Sequence, residues 1–155
     1  MNSLIVSTML RTISKVCPFL LRRYYTRNRL DLFLKFDISA SGDGAVYNFA
    51  SQEGSCWLNA INFSPFDFTI DRMEIRVVLD GVSFSFARTL PVVLRGPSCQ
   101  RILAQGKSPM SAEYASRAQE SRRATIEMKA YVVTSIRSFE VNRTIGDVKN
   151  FEVIV

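Results

Sequence analysis

The chain contains no histidine, so the usual base for a serine or cysteine nucleophile and the commonest zinc and iron ligand are both missing. Histidine-dependent triads are excluded. Cys17, Cys56 and Cys99 are odd in number and widely spaced, which matches neither a CxxC metal pattern nor a disulfide framework. Three reduced thiols are the expectation, with a Cys56–Cys99 disulfide open if the compartment is oxidising. Asp67, Asp71, Glu74 and Asp80 could supply the carboxylate pair of a glycosidase, but they occupy the solvated positions of an alternating pattern. SGDG and GKS lack the remaining positions of a phosphate-binding loop, and Pro109 directly follows the second. Asn142-Arg143-Thr144 is a glycosylation sequon, of consequence only in a secretory setting. The expectation is no enzyme, no cofactor and no metal.

A cluster of charge is more telling. Of 20 basic side chains, six lie in the first thirty residues, Arg11, Lys15, Arg22, Arg23, Arg27 and Arg29, with no acid until Asp31; the remainder carries 14 basic against 14 acidic groups. The net charge of +6 therefore belongs to the N-terminus. A nucleic-acid footprint would place clustered cations on the folded domain, where only Arg122-Arg123 stands out, so no nucleic-acid partner is expected.

Those cations sit on a helical pattern. Ile5, Met9, Ile13, Val16, Cys17 and Leu20 recur at three- and four-residue steps, with Ser3, Ser7, Arg11 and Lys15 opposite, and Pro18 predicts a break near Val16-Cys17. Arg11 and Lys15 make spanning a bilayer unfavourable, whereas lying in the interface with cations at the headgroups is easier. The six cations are thus candidate contacts to anionic lipid. Other readings remain open: a mitochondrial presequence, Arg-rich and ending near RRYYT; the remnant of a longer transmembrane helix; or a helix packed on its own domain or on a protein partner.

From Leu30 the period becomes two. LDLFLKFDIS predicts a strand with Leu30, Leu32, Leu34, Phe36 and Ile38 on one face, and a turn with Gly42 and Gly44 at positive φ follows. Further strands are predicted over about 46–51 and 55–63. Phe66, Phe68 and Ile70 share one phase and Met73, Ile75, Val77 and Leu79 the other, which requires one extra residue near Asp71-Arg72. A type I′ turn at Asp80-Gly81 would pair Leu79 with Val82, Val77 with Phe84, Ile75 with Phe86 and Met73 with Arg88. TLPVVL, QRILAQ, TIEMKAYVV, SFEVN and FEVIV supply more strand material, Gly146-Asp147 a turn, and Ser108-Pro109 the start of one short helix with a Glu113–Arg117 pair. Trp57, Phe63, Phe66, Phe68, Phe84 and Phe86 could line an apolar cavity, although core is the commoner use of such residues.

The fold expected is all-β: an immunoglobulin-like antiparallel β-sandwich with one short helix over residues 30–155, preceded by an amphipathic or membrane helix within residues 1–29. In the order LDLFLKFDIS, NAINFSPFDFTI, MEIRVVLDG and AQGKSP, this stretch resembles the type 2 late-embryogenesis-abundant, or water-stress and hypersensitive-response, domain. The resemblance implies a small sandwich often tethered to a membrane from its N-terminus, without catalytic residues. A non-enzymatic, membrane-associated interaction or structural module with an unidentified protein partner is the expected function. A carrier of lipid or another apolar ligand, and a mitochondrial subunit with a cleaved presequence, are the alternatives.

Overall fold

The computed structural model describes residues 2–38, 44–89, 91–121, 123–148 and 151–154. Three helices come first, α1 (Asn2–Val16), α2 (Pro18–Arg22) and α3 (Arg27–Leu32), followed by β1 (Leu34–Ile38), β2 (Ala45–Asn48), β3 (Glu53–Asn62), β4 (Phe68–Leu79), β5 (Val82–Arg88), β6 (Val92–Leu94) and β7 (Ser98–Lys107). A fourth helix, α4 (Ala112–Glu120), precedes β8 (Ala124–Thr134), β9 (Ser138–Val148) and β10 (Phe151–Ile154).

The strands form two five-stranded sheets facing one another, an all-β sandwich. In the first, β3 is central: β7 runs along one edge, β1 and β2 lie end to end along the other, and β10 adds outside β2. In the second, β4 is central between β8, with β9 beyond it, and the end-to-end pair β5 and β6. Inward positions of both sheets alternate strictly on β3 and β5, so Leu58, Phe68, Ile75, Phe84 and Ile126 meet in one buried core. Arg88 on β5 donates to the Leu103 carbonyl on β7, tying the two sheets along one side. Along the other, Arg143 on β9 donates to Asp31 (2.8 Å) and to the Leu34 carbonyl (3.2 Å).

The hairpin register at Gly81 is the predicted one, rung for rung. Its turn is different: of the two turn residues only Gly81 has positive φ (+83°), and a type I′ turn needs both. The extra residue near Asp71 is present as a register shift between Ile70 and Arg72 on β4.

Other expectations need correcting. The predicted strand from Leu30 begins at Leu34, because Thr26 caps α3, its hydroxyl accepting from the Arg29 amide. Leu30 is then fully buried while Leu32 is 80% exposed, which a shared strand face would forbid. The division at residue 29 falls inside this helix. Ser108 does not cap α4; it is buried, accepts from the Ser85 amide (3.2 Å), and Ser111 caps instead. Glu113 and Arg117 form no ion pair. Gly146-Asp147 is a bulge within β9 rather than a turn, with Asp147 at φ +55°. β10 pairs with β2 in parallel, since it reaches the first sheet from the second. The turn predicted at Gly42 and Gly44 falls on and beside residues 39–43, which lie outside the described residues, as do Arg122 and the side chains of Ser3 and Ser7.

Candidate functional site

One end of the sandwich is built around a buried amide. Asn62 donates to the carbonyls of Phe66 (2.7 Å) and Leu94 (3.1 Å), and its Oδ1 accepts from the Ser64 amide (2.9 Å) and hydroxyl (2.7 Å). Every hydrogen-bonding capacity of the amide used here is met, as burial demands. The chain packs so tightly at this point that a Cβ on Gly96 would lie 2.2 Å from the Ser64 carbonyl oxygen. The result is a rigid socket formed by the carbonyls of Pro65 and Gly96 beside the Asp67 carboxylate.

Arg11 of α1 fills that socket. Its Nε donates to Pro65 O at 2.9 Å, its Nη2 donates to Gly96 O, and Asp67 stands 3.8 Å away. The guanidinium fork suits two fixed carbonyls better than an ammonium would. Beside it Ser14 is buried and donates to the Arg11 carbonyl at 2.8 Å. On α2, Arg22 donates from Nε to the Ile136 carbonyl (2.9 Å), and Arg137 donates back to the Arg22 carbonyl. Leu21 and Leu30 join the core, and Tyr25 meets Phe66 edge to face at 4.8 Å.

The six predicted lipid contacts therefore separate. Arg11 and Arg22 are tied to the domain by hydrogen bonds, Arg11 half-buried and Arg22 still exposed. Lys15 is exposed on the flank of α1, at a cleft of about 330 Å3 that it shares with Asp67. Arg23, Arg27 and Arg29 are exposed together around the α2–α3 junction, and among the described residues none has an acidic partner within ion-pair distance.

The helical face that docks is the polar one. At about 100° per residue, Leu10, Arg11 and Ser14 form the inward side, and Ile5, Met9, Ile13 and Val16 fall opposite. All four are exposed, Val16 by 72%, and Phe19 and Leu20 continue the exposed run onto α2. The predicted break is present, with Pro18 opening α2. At 15 residues α1 is about 22 Å long, against a hydrocarbon layer of about 30 Å. Among the described residues no helix is long and apolar enough to cross a membrane.

Elsewhere the chemistry is quiet. The outer face of the second sheet holds a shallow depression of about 740 Å3, but its cations are partnered: Arg72 with Glu74 (2.9 Å), Arg76 with Glu127 (3.6 Å), Lys129 with Glu140 (3.2 Å), Lys107 with Glu53 (3.1 Å) and Arg143 with Asp31. Cys56 faces the core and Cys99 faces solvent, with Cys56 opposite Ala104 and Cys99 opposite Ile61 on the same strand pair, so the two cannot join and all three thiols are free. Burial pushes the Cys56 thiol up to about 12. The six aromatics do not line a common cavity: Phe66, Phe68, Phe84 and Phe86 are core, while Trp57, under Arg101, and Phe63 lie on the outer side. Asp71 and Asp80 are exposed without a facing carboxylate, and among the described residues no group of three metal-ligating side chains gathers. The Asn62 and Gly96 roles were missed from sequence, though Asn-x-Ser before an aromatic is a recognisable side-chain turn signal.

No family model and no curated protein matches the chain. Among solved structures, the Northeast Structural Genomics Consortium target SoR45 aligns with a TM-score of 0.52 at 8% identity, covering 77% of this chain and 89% of its own. At that identity the likeness concerns fold alone. A protein from Archaeoglobus fulgidus (TM-score 0.39, 8% identity, 74% of this chain and 95% of its own) is more distant. So is the ligand binding region of serine-glutamate repeat protein A of Enterococcus faecium (0.40, 11%, 79% and 97%).

Proposed function

We propose that this chain is a non-enzymatic interaction module held on an anionic membrane surface by its N-terminal helices, with an immunoglobulin-like sandwich presented to a protein partner. One observation carries the reading: α1 docks through its polar side and leaves its apolar side in water, next to unneutralised cations. Leaving Ile5, Met9, Ile13, Val16 and Leu20 solvated forgoes roughly 1 kcal/mol or more each, and an interfacial position recovers it. Among the described residues Arg23, Arg27 and Arg29 have no ion-pair partner, and each adds about 1 kcal/mol at an anionic leaflet. Resemblance to the late-embryogenesis-abundant domain fits N-terminal tethering.

The presequence reading accounts for less, because removal of residues 1–25 would strip Leu21 and Tyr25 from the core and empty the Arg11 socket. The carrier reading loses the internal aromatic cavity it began from. Co-sedimentation of the full chain with phosphatidylserine-containing and with purely phosphatidylcholine vesicles tests the proposal. Binding to the first, weakened by salt and abolished by paired Met9→Glu and Ile13→Glu substitutions, is expected; equal pelleting of wild type and variant would sink it.

A further inference from the structure

We propose that the groove among the three N-terminal helices binds one acyl chain of an anionic lipid, with Arg29 holding its headgroup. This deepens the membrane reading and rests on it. The groove has a volume of about 570 Å3, within the roughly 300–1,000 Å3 of small-ligand sites. Its floor is Leu10, Leu21 and Phe33, all packed against the core, and Tyr24 and Leu32 form exposed walls.

Three features select the ligand. First, Arg29 is the one charged residue among those that line the groove, and its Nη1 donates to the Tyr24 carbonyl at 3.0 Å, which fixes the guanidinium at the rim with donors to spare. Second, the nearest acid in sequence, Asp31, is taken by Arg143 at 2.8 Å, so the cation is left for an outside anion, and guanidinium matches phosphate or carboxylate oxygens. Third, the walls are mostly helical. Helical backbone groups bond within their own turns, so a peptide lying here would bury N–H and C=O groups without partners. An acyl chain has none to bury. One apolar body with one anionic end is the chemistry the groove accepts.

The test uses the full chain and cis-parinaric acid, a polyene fatty acid that fluoresces when its chain leaves water. Saturable enhancement at one probe per chain is expected, with Arg29→Glu, Leu32→Glu and the uncharged methyl ester each weakening it by roughly tenfold or more. Both substituted side chains are exposed, and unchanged circular dichroism would show that the fold is kept. Absence of saturation, or wild-type affinity in both variants, overturns the groove proposal even if phosphatidylserine vesicles still pellet the protein. Saturable binding lost in both variants, in a protein that ignores vesicles, would keep the groove as a site for acyl anions and remove the membrane reading instead.

Discussion

The sandwich and the N-terminal helices obey opposite rules of burial. In the sandwich the apolar side of each strand faces its partner sheet, and Ile75, Val77 and Phe84, predicted to share one apolar face, are all buried, as are Leu58 and Ile126. In α1 the larger apolar side faces water, and a mainly polar side, Arg11 and buried Ser14 with Leu10, makes the contact. An amphipathic pattern thus tells which side of a helix is apolar, not which side is docked. Where the domain offers fixed carbonyls instead of an apolar patch, a guanidinium is the better guest, and the apolar side is left for something outside the chain.

Breaking the docking end of the sandwich gives the largest effect. Gly96→Ala must displace backbone carbonyls of Ser64 and Phe66, so urea unfolding should show a loss of more than about 3 kcal/mol. Next comes alkaline pH. The Cys56 thiol stays protonated in the fold up to about 12, whereas the unfolded thiol ionises near 9. Stability is therefore complete below about pH 9 and declines as pH rises towards 12, by roughly 3 kcal/mol at pH 11. Cys56→Ala should flatten that part of the curve, and an unchanged slope would discount the thiol. Tyr47, likewise raised by burial, acts in the same direction.

Arg11→Ala sharpens the contrast between the two regions. It should cost about 1–2 kcal/mol and abolish hydrogen-exchange protection over α1 while leaving β4 and β8 protected. Loss of protection throughout would mean the two regions fold as one. Smallest of all is Leu32→Ser, expected to stay within about 0.5 kcal/mol of wild type, because the side chain is 80% exposed. A cost of 2 kcal/mol or more would restore the strand first read from Leu30.

The hairpin across Gly81 was legible because two independent constraints, a two-residue turn and the need to keep Val77, Phe84 and Phe86 on one side, select the same register. The bulge at Asp71 was legible for a similar reason: the apolar phase changes there. α3 was not, since Leu30, Leu32 and Leu34 fit both a period of two and one turn of helix, and only Thr26 marks the difference. The Arg11 socket was hidden as well. It consists of two backbone carbonyls from loops 31 residues apart, which carry no side-chain signature.

Sequence alone determined the alternation that drives two sheets together, the absence of histidine chemistry and the isolation of six cations before Asp31, because each is a property of residue type and local spacing. Tertiary structure decided which cations remain outside, which helix side faces the domain and where the chain exchanges sheets. Those outcomes depend on groups distant in the chain meeting at one end of the sandwich, where hydrogen bonds to fixed carbonyls outweigh the local preference of an apolar stripe for burial.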